Sequence, residues 1–215
     1  MSIFDLLPTF YEAPLTYIIV PIILVSSIIG FYNKRYFHAL LIHPYELFRG
    51  KRWHTLLTSA FLHRNWLHLS SNLFFIYVLS YDLYGTLKQI YPNGYPFLLS
   101  GLICFLLITL PNLAQSIHKK DDFMFTSMGS SGLSFGLFGF TGMLLPTDST
   151  NKFMFIFIGN SFYNWLVLLI ILYVLTRIKR SSGTNVYLHL YAFLIGGLLA
   201  LLVRPEAVKE IISIF

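Results

Sequence analysis

The chain has 215 residues, of which 56% are hydrophobic and 11% charged, with a formal net charge of +6. Soluble domains carry about 25% charged residues, and the mean hydropathy here is +0.68, so a water-soluble globular domain is excluded and an integral membrane protein is expected. Cys104 is the only cysteine, which leaves no disulfide framework and no cysteine-based metal site. The basic residues cluster beside apolar runs, as expected for anchoring at a membrane surface rather than for binding nucleic acid. The N-terminus is acidic (Asp5, Glu12) and does not read as a cleavable signal peptide. The length fits one domain, residues 1–215, with a membrane core over roughly 14–204.

A spanning helix needs about 20 apolar residues. Six segments are expected to meet that need. The first covers roughly 14–32 and contains Pro21, which a membrane helix tolerates. Residues 33–57 follow as a connection that mixes basic residues and histidines with Phe37, Leu40, Leu47 and Trp53, so an amphipathic segment embedded in the interface is expected. The second helix covers roughly 61–83 and opens with His63, His68 and Asn72. The third covers roughly 95–117 and leads into the polar loop Lys119-Lys120-Asp121-Asp122.

The fourth helix, roughly 128–145, begins with the small-residue run Gly129-Ser130-Ser131-Gly132. Residues 153–160 read as an interfacial or re-entrant lead-in to a fifth helix at roughly 161–177. The sixth covers roughly 185–203, and Arg204-Pro205 stops it. The tail 206–215 is short and amphipathic. Eleven Lys and Arg residues flank one side of this arrangement and four the other, which by charge bias places the N-terminus outside.

The chemistry-bearing residues fall on three of these helices. His68 and Asn72 are four apart and share a helix face. Polar groups inside a membrane are costly and usually face the bundle interior. Interhelical hydrogen bonding or interface anchoring would explain His63 equally well and His68 with Asn72 somewhat less well, a buried histidine bonded to a neighbouring helix would explain His189 about as well, and a histidine-based metal site is a further alternative. In the sixth helix, His189 tops a stripe of small side chains formed by Ala192, Gly196 and Ala200. The fourth helix has its own stripe in Gly132, Gly136 and Gly139, centred to one side of Ser131.

Two such stripes let backbones pack closely. If these two helices face each other, Ser131 and His189 become a nucleophile and a general base. The Ser131 amide, His68 and Asn72 are the available donors for an oxyanion. Phe135 is placed to stack on the His189 ring. No carboxylate lies near enough in the spanning helices to make a triad.

Three motifs together resemble the rhomboid intramembrane serine proteases. They are His63-x4-His68-x3-Asn72, the Gly129-Ser130-Ser131-Gly132 run continued by Gly136 and Gly139, and His189 with Gly196. The resemblance covers roughly residues 50–204. It implies an all-α membrane protein with a six-transmembrane-helix rhomboid-like bundle. It implies a Ser131–His189 dyad, an oxyanion hole containing His68 and Asn72, and a structural His63 at the site entrance. Packing around the site would fall to Gly129, Gly132, Gly136, Gly139, Phe135, Ala192 and Gly196.

The resemblance further implies a loosely packed fifth helix gating against the second, a cytoplasmic N-terminus that the charge bias opposes, and transmembrane protein substrates in the bilayer of the cell membrane. It calls for no cofactor, metal or nucleic acid. The sequence departs from the pattern at His54-Thr55, where the family often has Trp-Arg. It departs also at Ser80 and Tyr84, at Ala192, and at Phe135, where a tyrosine is usual. The alternatives are a non-catalytic rhomboid-like binder of membrane helices and a metal- or haem-binding protein using His63, His68 and His189.

Overall fold

The computed structural model describes residues 8–149, 159–178 and 185–215. Among them ten α-helices follow one another: α1 (Pro14–Tyr32), α2 (Lys34–Leu40), α3 (Pro44–Leu47), α4 (Thr55–Thr58), α5 (Trp66–Ile90), α6 (Pro96–His118), α7 (Ser131–Leu144), α8 (Ser161–Arg177), α9 (Val186–Val203) and α10 (Glu206–Ile212). No strand occurs among the described residues, and one isolated antiparallel bridge joins Ile42 to Ser127. The expected lead-in at 153–160 lies largely outside the described residues.

Among the described residues three helices are long and apolar enough to cross a membrane: α1, α6 and α9. α7 and α8 are apolar but shorter. α5 is longer than any of them, with 25 residues. Its His68, Ser70, Ser71, Asn72, Asp82 and Lys88 keep it from reading as a plain apolar span.

α7 is the centre of the bundle. It packs against α5, α6, α8 and α9, and every residue of it except Phe135 is buried. A helix apolar on all sides belongs in a core. The apolar cluster around it joins Leu69 and Ile76 of α5, Leu107 of α6, Leu137 and Phe140 of α7, Trp165 of α8 and Phe193 of α9.

Glycine sets how closely α9 approaches. A Cβ on Gly196 would fall on the Gly136 carbonyl, and one on Gly139 would fall on the Phe193 carbonyl. The two small-residue stripes therefore meet backbone to backbone. From the other side Leu107 of α6 presses on Gly136, where an added Cβ would stand 2.8 Å from Leu107 Cδ2.

Polar contacts fix the outer helices. Thr16 of α1 and Ser80 of α5 share a hydrogen bond of 2.7 Å, so the departure at Ser80 carries a contact of its own. Arg204 donates to the Leu144 carbonyl at 2.7 Å, closing the end of α7, and pairs with Glu210 of α10. Glu210 raises the guanidinium pKa of Arg204 above its usual value.

Two boundaries differ from expectation. α5 begins at Trp66 rather than near residue 61, because Ser59–Phe61 form a 3₁₀ turn and Asn65 caps the helix by accepting the His68 N–H at 2.8 Å. It then runs on to Ile90, since nothing breaks it before Tyr91-Pro92. α7 begins at Ser131 rather than near 128, because Ser127 is held in the bridge to Ile42 and Gly129 has φ +112°.

The 33–57 connection folds into α2, α3 and α4, stitched by Arg52. Its guanidinium donates to the carbonyls of His38, Ala39 and Leu41 at the end of α2, and to Glu46 at 2.9 Å. Arg52 has φ 60°, unusual for a residue with a Cβ.

Candidate active site

Ser131 is the first residue of α7 and is 8% exposed. The chain reaches it through Gly129, whose left-handed φ of +112° favours glycine. A second constraint acts at the same residue. The His68 ring lies against Gly129, where an added Cβ would stand 2.7 Å from Cε1 and 3.0 Å from Nε2. His68, on the first turn of α5, is thereby placed two residues from Ser131.

His63 lies outside α5, in the extended stretch before it, which corrects its expected place on the second helix. It is 1% exposed, and both ring nitrogens are engaged. Nδ1 is 2.8 Å from Ser27 Oγ, and Ser27 Oγ in turn donates to the Phe61 carbonyl at 2.9 Å. A hydroxyl has one proton to give, so Ser27 accepts from His63 Nδ1–H. Nε2 is then the acceptor, and it faces the Ser130 N–H at 3.4 Å and the Ser130 hydroxyl at 3.1 Å. The His63 and His68 rings meet edge to face at 4.9 Å. His63 thus joins α1 to the residue immediately before Ser131.

Asn72 lies one turn below His68. Its Nδ2 donates to the His68 carbonyl at 2.8 Å, which uses one of two amide protons. Its Oδ1 accepts from Ser134 of α7 at 3.4 Å. His189, on the first turn of α9, stacks on Phe135 with ring centroids 4.2 Å apart and planes at 18°. Among the described residues no hydrogen bond joins the Ser131 hydroxyl to His189. Ala192 is fully buried on the same helix, and Leu188 packs near Gly132. The start of α9 is fastened by Asn185, which caps the Leu188 N–H at 3.3 Å and donates to Ser127 Oγ at 3.1 Å.

Several contributing residues were given no role of their own by the sequence: Ser27, Ser130, Ser134, Asn185 and Asn112. Asn112 of α6 donates to the Leu56 carbonyl at 2.8 Å and to Ser59 Oγ at 3.3 Å, while the Ser59 carbonyl accepts the Gly129 N–H at 3.0 Å. The available signal was a hydroxyl or amide inside an apolar segment, such as Ser26-Ser27 or Asn112. α8, which buries only five of its 17 residues, is anchored near its start. Trp165 donates its indole N–H to the Gly139 carbonyl at 3.1 Å and stacks on Phe193 at 5.1 Å. Beyond that anchor, Ile170, Ile171, Tyr173 and Val174 are exposed.

The sequence profile of the Rhomboid domain matches residues 50–206, most of the chain and all of the residues just described from α5 to α9. The chain belongs to the rhomboid family. A curated relative is Rhomboid-like protein 11, chloroplastic, of Arabidopsis thaliana, to which it is 29% identical over 116 residues. That match covers 51% of this chain and 36% of the relative, so the chain spans about a third of that protein's length. Within the rhomboid domain, His63, His68, Asn72, Ser131 and His189 converge on one end of the bundle, where α5, α7 and α9 begin.

Proposed function

We propose that this rhomboid-family protein is an intramembrane serine endopeptidase with Ser131 as nucleophile and His189 as general base. The observation that carries this reading is the backbone contact of α7 and α9, with His189 stacked on Phe135 one turn past Ser131. A ring clamped on Phe135 has its plane fixed without help from a carboxylate. Catalytic hydrogen bonds are often long or poorly aligned before substrate binds, so the absence of one here does not by itself remove the pair.

In this mechanism a single-span membrane protein enters beside the exposed half of α8, towards α5. Small or helix-breaking residues let it unwind and present a peptide bond. Ser131 Oγ attacks the carbonyl carbon while His189 takes the hydroxyl proton. The developing oxyanion is met by the Ser131 N–H, His68 and the second amide proton of Asn72, each such donor contributing about 3 kcal/mol. His189 returns the proton to the leaving amine. Water then hydrolyses the acyl-enzyme, with His189 again the base.

We read α1, α5, α6, α7, α8 and α9 as six spans of one membrane domain, with the N-terminus cytoplasmic. α7 has 14 residues and rises about 21 Å, against a hydrocarbon core of about 30 Å. Its end bearing Ser131 would therefore lie below the membrane surface, in a basin lined by His63, His68 and Asn72.

A non-catalytic, helix-binding rhomboid is favoured by one observation, the unmade Ser131–His189 hydrogen bond. A metal or haem role for the histidines is opposed by His63, whose two nitrogens are already engaged. Labelling by a fluorophosphonate probe, together with cleavage of a single-span reporter, decides between these readings. Wild type should do both, and Ser131→Ala and His189→Ala neither. Unlabelled wild type, or undiminished cleavage by Ser131→Ala, would sink the protease.

A further inference from the structure

A cleft of about 380 Å³ opens on the outer side of the bundle, where α1 ends and α5 begins. Its walls bring together Lys34, Arg64, Phe31, Phe37 and Trp66, with His63 behind them. Both cationic residues are exposed, and no carboxylate is among the described residues that line the cleft. The Phe31 and Trp66 rings meet edge to face at 5.0 Å and form an aromatic floor. Trp66 is itself more than half exposed, as suits an indole at headgroup depth.

Below the cleft the exposed face of α1 is apolar, while α5 exposes Ser70 and Ser71 among its apolar residues. Ile29, Val25, Ile22 and Ile18 form an exposed stripe down α1 at helical spacing, and Leu67 and Phe74 are exposed on α5. Two cations above an aromatic floor, with an apolar track beneath, match the chemistry of one molecule class.

We infer that this cleft holds an anionic phospholipid, its phosphodiester between Lys34 and Arg64 and its acyl chains along the α1 stripe. A soluble anion would use the cations but not the track. A zwitterionic lipid would use the track but would set its own ammonium among the two cations. The lipid would share a wall with His63, the residue that ties α1 to Ser130. Binding itself does not depend on Ser131 being a nucleophile.

The test is lipid binding by the purified full chain in neutral detergent, read by native mass spectrometry and by thermal stability. The ligands are phosphatidylglycerol, phosphatidylcholine and inorganic phosphate. Wild type should retain phosphatidylglycerol and gain stability from it, with neither effect from phosphatidylcholine or phosphate. Lys34→Gln/Arg64→Gln should weaken phosphatidylglycerol binding on the order of thirtyfold, given the usual contribution of a basic residue at an anionic surface. Lys34→Glu alone, at an exposed position, should weaken it by about the same factor. Lys119→Gln/Lys120→Gln, a basic pair in the loop after α6, should leave binding unchanged. Equal binding by wild type and the Lys34 variants would overturn the proposal. So would the same loss on changing Lys119 and Lys120, or displacement of the lipid by inorganic phosphate.

Discussion

His68 rests on Gly129 so closely that no side chain fits between them. The ring fixes the path of the backbone just before α7, and that path in turn fixes the ring. Gly129→Ala therefore meets two obstacles, a left-handed φ and an imidazole 2.7 Å from the new Cβ. The substitution should push His68 away from Ser131. If His68 is an oxyanion donor, cleavage of a single-span reporter should fall about a hundredfold or more. Turnover by the variant within a factor of a few of wild type would contradict that role.

Gly196 and Gly85 make a controlled pair. A Cβ on Gly196 lands on the Gly136 carbonyl, whereas one on Gly85 meets nothing within 4 Å. Gly196→Ala should force α9 from α7 and destabilise the fold by about 1–3 kcal/mol, as overpacked cores do. Gly85→Ala, inside α5 and five residues before its end, should be neutral or stabilising by about 0.5–1 kcal/mol from helix propensity. Unfolding of both variants in the same detergent checks the contrast.

Ser27 sits on α1, far in sequence from Ser131, yet holds His63 by its Nδ1–H at 2.8 Å. Ser27→Ala leaves that buried N–H without its acceptor, which should cost about 1–3 kcal/mol. The tautomer that presents Nε2 to Ser130 is no longer enforced. Probe labelling of Ser131 should slow, while Ser26→Ala, which loses only a contact to Tyr36, should leave labelling near wild type. Equal rates in the two variants would show that His63 does not transmit to the site.

Glu46 gives the connection between α1 and α5 a pH dependence. Its hydrogen bond to Arg52 holds the carboxyl pKa below the usual value. A group lowered in the folded state stabilises above its unfolded pKa, about 4.3, and loses that contribution as pH falls through the folded value. Proteolytic nicking of residues 33–57 should therefore increase as pH falls through and below the usual carboxylate range. Glu46→Gln should flatten this dependence. Arg52→Ala should raise nicking at every pH, because it also uncaps the carbonyls of His38, Ala39 and Leu41.

The apolar segments were legible because a bilayer imposes length and composition on whatever crosses it. The meeting of α7 and α9 was legible because small residues recur on one face of each. The starts of α5 and α7 were not, since Asn65 and Gly129 act through a cap and a left-handed φ that hydropathy does not register. Arg52 was hidden for a similar reason. The departure at His54-Thr55 leaves the expected anchoring positions without a guanidinium, but the backbone of Arg52 turns so that a guanidinium reaches the end of α2 from outside them. The network of Ser27, His63 and Ser130 links residues 36 and 67 positions apart, beyond the reach of any local pattern.

The burial of α7 bears on how the chain is made. Thirteen of its fourteen residues face protein rather than lipid, and the glycines among them have no side chain for lipid to hold. Gly136 and Gly139 meet partners that lie more than fifty residues further along the chain. During synthesis, α7 emerges before the helix that completes its surroundings. Its neighbours on one side are therefore missing until α9 has entered the membrane. A cutting centre built on Ser131 and His189 would stay unarmed until α9 arrives beside α7.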